Sequence, residues 1–233
     1  MTLSIIVPVL GEAGTIAVVL EALAPFRARG TQVIVVDGGS QDGTATLAQP
    51  YADVILGSAR GRAAQMNAGA AMARGDVLLF LHADTRLPPD ADHLILDALA
   101  KSGRAWGRFD VTIEGQSPLL RLVAAMMNTR SRFTGIATGD QAMFATRAAF
   151  ESAGRFPDIA LMEDIALSAR LKRISRPVCL RARVTTSGRR WESRGVVRTI
   201  LLMWWLRLSY FLGANPRDLA RQYGFAPRDD RAP

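Results

Sequence analysis

The sequence predicts an α/β fold, with a Rossmann-like sheet that carries helices on both faces and an apolar helix towards the C-terminus. The first observation is that two apolar runs of strand length, Leu3–Val9 and residues 32–36, flank a helix-periodic stretch at residues 15–28. The second is that glycines and carboxylates follow the strands. Parallel strands place such loops at one edge of the sheet, where open α/β sheets bind their ligands.

Chain length and composition fit one sizeable domain. The 233 residues are 49% hydrophobic, and single α/β domains commonly reach about 200–250 residues. The formal net charge is +8, the pI is about 10.8, and the arginines are densest after Arg170. A basic chain suits an anionic partner such as a nucleotide diphosphate, a nucleic acid or an anionic membrane surface, and composition does not choose among them.

Cysteine usage and the start of the chain indicate the compartment. Cys179 is the single cysteine, which excludes an intramolecular disulfide and a zinc cluster built on several thiolates. The chain opens directly into a strand-like segment, and the Pro8 and Glu12 that follow do not fit a secretory apolar region with its cleavage site. We therefore expect a reducing, cytoplasmic location.

The loops after the first two strands carry the first candidate ligands. Glu12 lies in the loop of residues 11–14. Asp37, Gly39 and Asp42 lie in the loop after the second strand. Glycine lets the backbone approach a ligand closely, and carboxylates accept hydrogen bonds from hydroxyls or a base edge. Asp37 directly follows a continuous apolar run, which favours a binding role, whereas Asp42 is either a ligand or a cap of the following helix.

Two further strands deliver candidate phosphate and metal ligands to the same edge. Arg60 follows a short strand at residues 53–56 and stands at a loop-to-helix junction, which suits phosphate capture. The strand at residues 76–81 ends at His82 and Asp84. A lone aspartate after a strand is commonly a turn residue or a helix cap. Polar loops from successive βα units at one edge nevertheless favour a site.

Four segments, in this order, resemble the family 2 glycosyltransferases of the GT-A fold. They read IIVPVLGE at residues 5–12, VVDGGSQDGT at 35–44, LHAD at 81–84 and MED at 162–164. The resemblance implies that Glu12 and Asp37 hold the nucleoside of a nucleotide-sugar donor, and that Pro8 and Gly39 belong to the same donor site. Arg60 then suits the donor's diphosphate.

The resemblance also implies a metal. Asp84 belongs to the segment that holds a divalent cation on the pyrophosphate of the sugar nucleotide, so the implied cofactor is Mn²⁺ or Mg²⁺. His82 stands where that segment usually has its first aspartate. Mg²⁺ prefers oxygen ligands and Mn²⁺ tolerates imidazole, so coordination by His82 would favour Mn²⁺.

The second half supplies candidate acceptor-side residues. Residues 135–141 resemble the flexible glycine-containing loop that reaches the acceptor in these enzymes, or form a plain turn. Glu163 and Asp164 head a predicted helix, and the resemblance implies that Asp164 is the general base of this catalytic pair. The alternative is charge that complements the helix dipole, worth about 0.3–1 kcal/mol. Arg190 lies in a segment similar to one that grips the diphosphate or the acceptor, or in a basic surface turn.

An apolar helix is predicted at residues 196–212. It is interrupted by Arg198 and Arg207 and is too short to span a membrane, which takes about 20 largely apolar residues. Its apolar side chains surround the helix, so we expect one side to cover the domain and the other to meet a second subunit or the membrane interface. Trp205 and Leu206 are predicted to face outwards. The stripe predicted to face the domain is Val197, Ile200, Leu201, Trp204, Leu208 and Phe211.

These features divide the chain into predicted parts. The resemblance covers a GT-A domain at residues 1–190, with a nucleotide-binding half at about 1–100 and an acceptor half at about 101–190. A helical extension at 191–226 and a disordered tail at 227–233 follow.

The predicted activity is a metal-dependent, inverting transfer of a sugar from a nucleotide sugar, expected to be a UDP-sugar, to a hydroxyl acceptor. The apolar second half suits a lipid-like acceptor and contact with the inner face of the cell membrane, and no nucleic-acid partner is expected. Two other interpretations stay open. A sugar nucleotidyltransferase would carry an arginine in its triphosphate loop, which residues 10–14 lack. A non-catalytic nucleotide-binding, membrane-associated module is kept open by His82.

Overall fold

A mixed sheet of eight strands forms the centre of the protein in the computed structural model, which describes residues 1–225. The strands are β1 (Leu3–Val9), β2 (Gln32–Asp37), β3 (Val54–Gly57), β4 (Val77–Phe80), β5 (Thr85–Arg86), β6 (Trp106–Glu114), β7 (Phe144–Thr146) and β8 (Val178–Ser187). They lie in the order β3-β2-β1-β4-β7-β6-β8-β5. The predicted tail at residues 227–233 lies outside the described residues.

Helices cover both faces of this sheet, as predicted. They are α1 (Ile16–Glu21), α2 (Ala24–Ala28), α3 (Thr44–Ala48), α4 (Arg62–Met72), α5 (Ala91–Ser102), α6 (Leu119–Thr134), α7 (Arg147–Ser152), α8 (Glu163–Ile174), α9 (Arg189–Arg194), α10 (Val196–Phe211) and α11 (Pro216–Tyr223). Ile5 of β1 packs on the side of Leu20 in α1, and its neighbour Ile6 packs on the side of Met66 in α4. This alternation follows from the two-residue period of a strand, and full burial of each such side chain contributes about 1.5–3 kcal/mol.

Strand register brings the predicted ligand loops together. β1 pairs in parallel with β2 and β4, and β2 pairs in parallel with β3. Val9 lies opposite Asp37, and Asp37 lies opposite Gly57. The loops after these strands therefore leave the sheet at one edge, as the sequence predicts. In the second half β7 runs antiparallel to both β4 and β6, and β8 runs parallel to β6.

The single helix predicted at residues 15–28 is wrong, because the structure has two short helices there. α1 ends at Glu21, and α2 begins at Ala24 with Pro25 in its first turn. Proline has no backbone N–H and its ring clashes with the preceding turn, so a continuous helix is disfavoured at this point. The predicted apolar residues Leu20 and Leu23 are nevertheless buried.

α10 forms where a helix is predicted, but the side predicted to face the domain is wrong. Trp204 and Leu208 of the predicted inner stripe are more than half exposed, whereas Leu206, predicted to face outwards, is fully buried. Leu206 packs into a cluster whose other buried members are Leu161, Met162, Ile165, Leu219 and Ala220. Because α10 is apolar on nearly every side, its periodicity does not specify which side docks.

The C-terminal part of the described chain is helical. α9 begins at Arg189, so the predicted boundary between residues 190 and 191 falls inside a helix. The division into a domain at 1–190 and an extension at 191–226 stays a prediction. Within residues 1–225 no helix is both long and apolar enough to cross a membrane.

Candidate functional site

A cavity of about 290 Å³ opens at the edge of the sheet where β1 and β4 end. It brings together residues that are far apart in the sequence. Those predicted to bind the donor are Pro8, Glu12, Arg60, Asp84 and Arg190. Lining residues without a predicted role are Arg62, Asp140, Asp158, Arg217 and Phe225. Asp37 and Gly39 lie in the adjoining loop and are not among the residues that line the cavity.

The loops after β1 and β2 are locked to each other by side chains. Asp37 accepts hydrogen bonds from the backbone and hydroxyl of Ser40, and the Ser40 hydroxyl accepts one from Gly11 N at 2.9 Å. Asp42 accepts from Ala13 N at 3.0 Å and from the hydroxyl and backbone N of Thr44. The Thr44 hydroxyl and the Ala13 N–H lower the pKa of Asp42. These contacts favour the structural interpretation of Asp42, while the nucleoside-binding role of Asp37 stays a prediction.

Gln65 of α4 holds the ends of β1 and β2 in place. Its buried side chain donates hydrogen bonds to Val9 O and Val36 O, each at 2.8 Å. A Cβ on Gly38 would lie 3.1 Å from Gln65, so glycine allows the loop to pass close over this amide. Sequence reasoning missed Gln65, because a single glutamine on a small-residue helix carries no local signal.

Asp84 lines the cavity with a carboxylate that is only loosely held by the protein. Its Oδ1 accepts from the hydroxyl of Thr85 at 3.3 Å and from that of Thr186, on β8, at 3.4 Å. The antiparallel pairing of β5 with β8 brings Thr186 to this position. Because only one oxygen is engaged, and only by two long hydrogen bonds, the carboxylate is able to bind a cation.

His82 is enclosed by the turn that follows residue 135. Its Nδ1 lies 3.3 Å from Asp140 Oδ1. A Cβ added to Gly139 would lie 2.4 Å from His82 Nε2, so the glycine backbone covers the other side of the ring. Both ring nitrogens therefore face this turn, which argues against metal coordination by His82. Although burial alone would raise it, the hydrogen bond and charge of His82, with Arg62 and Arg190, hold the pKa of Asp140 below its usual range.

The side chains at the cavity suit a metal ion that is coordinated partly by the protein and partly by a bound diphosphate. The described residues contain no group of three or more His, Cys, Asp or Glu side chains arranged to hold an ion by themselves. Mg²⁺-type sites commonly use one or two carboxylates and take their remaining ligands from water and substrate phosphates. Asp84, as a carboxylate beside cavity-lining arginines, suits that arrangement.

Arginines from three parts of the chain line the cavity. They are Arg60 with Arg62, Arg190, and Arg217. Arg62 Nη1 lies 4.0 Å from Glu163 Oε1, and its guanidinium lies 5.1 Å from the ring of Phe225. Arg190 lies over the rings of Tyr223 and Phe225 at 5.4 and 5.2 Å, and donates to the Tyr223 hydroxyl at 3.1 Å. Aromatic contacts of this kind hold guanidinium groups in a fixed orientation. Arg60 and Arg62 are two residues apart, so the sequence itself indicates an arginine cluster here. Nothing near Phe225 in the sequence indicates that its ring contacts these arginines.

Glu163 and Asp164 begin α8, beside the cavity rather than in its lining. The Glu163 side chain is 6% exposed. Burial and the neighbouring charge of Asp164 raise the pKa of Glu163 to about 7, against the opposing effect of Arg62. Asp164 accepts hydrogen bonds from Gly139 N at 2.8 Å and from Ile165 N at 2.7 Å. Burial raises the pKa of Asp164 although these bonds oppose the shift. Glu163 is buried and Asp164 half-buried, and carboxylates with such raised pKa values differ from solvated charges at a helix terminus.

The fold and cavity define a GT-A type α/β domain, and solved structures agree. A mannosyltransferase from Pyrobaculum calidifontis, PcManGT, solved with GDP-Man and Mn²⁺, matches 99% of this chain and 65% of its own, with a TM-score of 0.64 and 21% identity. S. aureus TarS with UDP-GlcNAc matches 80% and 58%, with a TM-score of 0.65 and 18% identity. Glucosyl-3-phosphoglycerate synthase from Mycobacterium tuberculosis, with Mn²⁺ and UDP, matches 79% and 70%, with a TM-score of 0.57 and 18% identity.

The sequence identifies the family. Residues 4–151 match the family described as Glycosyl transferase family 2, and the chain belongs to it. A relative from Pseudomonas fluorescens (strain Pf0-1), named undecaprenyl-phosphate 4-deoxy-4-formamido-L-arabinose transferase, is 31% identical over 154 residues, which are 59% of this chain. The chain spans 44% of the length of that relative. The predicted membership of family 2 is confirmed, and three of the four sequence segments lie within the matched residues, while the segment at 162–164 lies beyond them.

Proposed function

We propose that this protein transfers a sugar from a nucleotide-sugar donor to a hydroxyl acceptor. The observation that carries the proposal is the cavity at the carboxyl edge of the sheet, where Arg60, Arg62 and Arg190 meet Asp84. Guanidinium groups suit bidentate binding of diphosphate oxygens, and the carboxylate suits a cation on the same diphosphate. Family membership supports this chemistry over a sugar nucleotidyltransferase or a non-catalytic module.

The proposed donor site uses the predicted residues. Glu12 and Asp37 accept hydrogen bonds from the nucleoside, and Pro8 and Gly39 shape the backbone beside it. Arg60 and Arg190 bind the diphosphate together with Arg62. Asp84 would hold Mn²⁺ or Mg²⁺, which supplies positive charge that neutralises the departing diphosphate. A UDP-sugar is the proposed donor, because TarS and the mycobacterial synthase were solved with UDP-GlcNAc and UDP, although PcManGT was solved with GDP-Man.

The proposed chemistry is a single displacement. Asp164 takes the proton of the acceptor hydroxyl while its oxygen attacks the anomeric carbon from the side opposite the diphosphate. The bond from that carbon to the phosphate oxygen breaks, its electron pair leaves with the diphosphate, and the anomeric configuration inverts. The charge of Asp164 raises the pKa of its neighbour Glu163, and Arg62, which opposes that shift, links this pair to the donor site.

The proposed acceptor is an alcohol of lipid-like character. The apolar side chains of α6 and α10 support the lipid-like character, as does the name of the Pseudomonas relative, which specifies undecaprenyl phosphate, a lipid that ends in a phosphate rather than an alcohol. A cytoplasmic location at the inner face of the cell membrane fits such an acceptor and stays a prediction.

The proposal is tested by incubating the protein with a panel of UDP- and GDP-sugars. Each reaction contains Mn²⁺ or Mg²⁺ and a mixture of alcohol acceptors. Release of nucleoside diphosphate together with a glycosylated product is the expected result. Consumption of nucleoside triphosphate and sugar phosphate would instead identify a nucleotidyltransferase. Tight binding of sugar nucleotides without any release would identify a non-catalytic module.

A further inference from the structure

The outer side of α10 exposes large apolar side chains along its length. Leu206 already packs into the interior, so the exposed side is a second apolar surface of the same helix. Its members, each more than half exposed, are Val197, Leu201, Trp204, Trp205, Leu208 and Phe211. Isolated exposed apolar residues are ordinary in soluble proteins, but a continuous row of this size indicates an interaction surface.

The neighbouring helix extends this surface. α6 packs against α10 and exposes Leu119, Leu122, Met126 and Phe133, the last at 81%. We call the exposed apolar residues of α6 and α10 together the apolar face. Two adjacent helices that both present apolar side chains outwards form a broad platform rather than a groove for one peptide helix.

The charged side chains of the two helices that form the apolar face are all positive. Neither α6 nor α10 contains an aspartate or a glutamate, while Arg121 and Arg198 are exposed on the two helices. The adjoining α9 exposes Arg189 and Arg194 together with one acid, Glu192, which accepts hydrogen bonds from the backbone of Gln116 and Ser117. Tryptophan beside arginine is the composition favoured at a membrane surface, where rings enter the headgroup region and guanidinium groups meet lipid phosphates.

These charges argue against a second copy of the chain as the occupant. In a two-fold dimer the same surface of both copies meets, so Arg121 and Arg198 would face a surface that carries the same arginines and no carboxylate from either helix. Like charges held together in an interface are unfavourable. A bilayer with anionic lipids provides both features that this face requires, negative charge in its headgroups and an apolar layer in its acyl chains.

We propose that the apolar face docks the protein on a membrane surface that contains anionic lipids, with α6 and α10 lying in the headgroup region. Leu206, on the inner side of α10, packs on Met162 and Ile165 at the start of α8. Docking therefore places the segment that carries Glu163 and Asp164 behind α10, about one helix diameter, roughly 10 Å, from the membrane surface. The inference concerns binding alone and holds whether or not the proposed sugar transfer is correct.

Vesicle flotation of the full chain tests the inference without any sugar nucleotide. We expect binding to vesicles of phosphatidylcholine with phosphatidylglycerol, much weaker binding to phosphatidylcholine alone, and loss of binding as salt is raised. Replacing Trp204, Trp205 and Leu208 together with serine should weaken binding by about tenfold or more. Arg121→Gln and Arg198→Gln should each weaken it about fivefold. Val18→Ser, at an apolar residue of α1 that is also exposed, is the matched control and should bind normally.

Two further measurements decide between occupants. Brominated lipid should quench the tryptophan fluorescence of the unmodified protein, which does not depend on any variant being folded. Equal binding to neutral and anionic vesicles, or binding that the serine triple variant retains, would overturn the inference. The face would instead bind a second copy of the chain if two results were found together. Light scattering would show a dimer that the triple variant does not form, and the unmodified protein would not bind vesicles.

Discussion

The donor side and the base side of the cavity are held together by different interactions. On the donor side, the loops after β1 and β2 are joined by polar hydrogen bonds, such as those from Ser40 to Asp37 and from Gly11 to Ser40. On the base side, Glu163 is buried, and the nearest guanidinium, that of Arg62, lies 4.0 Å away. The donor side is therefore fixed in geometry, while the base side is perturbed in its electrostatics.

This difference separates the effects expected of substitutions. A fixed set of hydrogen-bonding groups contributes mainly to affinity, since it binds the ground state and the transition state alike. A buried carboxylate pair contributes mainly to rate and pH dependence, since its proton affinity is what burial changes. Asp84 is expected to contribute to rate from the donor side, because the diphosphate gains charge only as it departs.

The largest expected effect is that of Asp84→Asn, which removes the carboxylate charge at nearly constant volume. We expect metal-dependent turnover to fall by about 10³-fold, equivalent to about 4 kcal/mol of transition-state stabilisation. Steady-state release of nucleoside diphosphate across a Mn²⁺ titration measures it. Asp158→Asn, at another carboxylate of the cavity lining, is the matched control and should lose far less. Equal losses would indicate a general effect of cavity charge.

Asp164→Asn tests the base side. Loss of a general base typically lowers turnover by about 10²-fold or more, so kcat should fall on that scale while the affinity for UDP is unchanged. Gly139 N and Ile165 N donate to different oxygens of Asp164, so asparagine keeps an acceptor for only one of them, and a thermal melt of the variant checks that the turn is preserved. Glu163→Gln should lower kcat less. A preserved rate in Asp164→Asn would remove the base assignment, and identical losses in the two variants would mean that the pair acts as one electrostatic unit.

Stability should depend on pH through Glu163. The pKa is raised from 4.5 to about 7 in the folded protein, so the folded state keeps a proton that the unfolded state has lost. The contribution of Glu163 to the free energy of unfolding should be fully present below about pH 4.5 and fall on the order of 3 kcal/mol as the pH rises to about 7. Glu163→Gln should flatten this part of the profile in urea titrations. If the free energy of unfolding of Glu163→Gln has the same pH dependence as that of the unmodified protein, a group other than Glu163 binds the proton.

Asp37→Ala has the smallest expected effect. Loss of a contact used equally in ground and transition states should raise KM about tenfold with kcat little changed. Asp37 also holds Ser40, so Ser40→Ala is the control for loop structure. Calorimetric titration of UDP compares the two variants. A loss of affinity that Ser40→Ala reproduces in full would mean that Asp37 positions the loop rather than contacting the nucleoside.

The sequence predicts the donor side well because its signals are local. Glu12 and Asp84 lie within four residues of the ends of apolar strands, and parallel pairing places the ends of those strands at one edge. The contribution of Phe225 is not predictable in this way, since only tertiary packing brings it over Arg62 and Arg190.

Two errors have equally specific causes. The break between α1 and α2 follows from Pro25, a residue whose effect outweighs an otherwise helical pattern. The orientation of α10 depends on the surface that Leu206 meets, Leu161 and Ile165 among them, and a helix that is apolar on nearly every side does not encode that choice.

Calorimetric titration of UDP with and without Mn²⁺ tests whether the cavity holds the diphosphate of a nucleotide sugar through Asp84 and a shared metal. We expect UDP to bind the unmodified protein, Mn²⁺ to tighten this binding, and Asp84→Asn to abolish the tightening while retaining metal-independent binding through the arginines. Absence of UDP binding, or equal tightening by Mn²⁺ in the unmodified protein and in Asp84→Asn, would contradict this expectation.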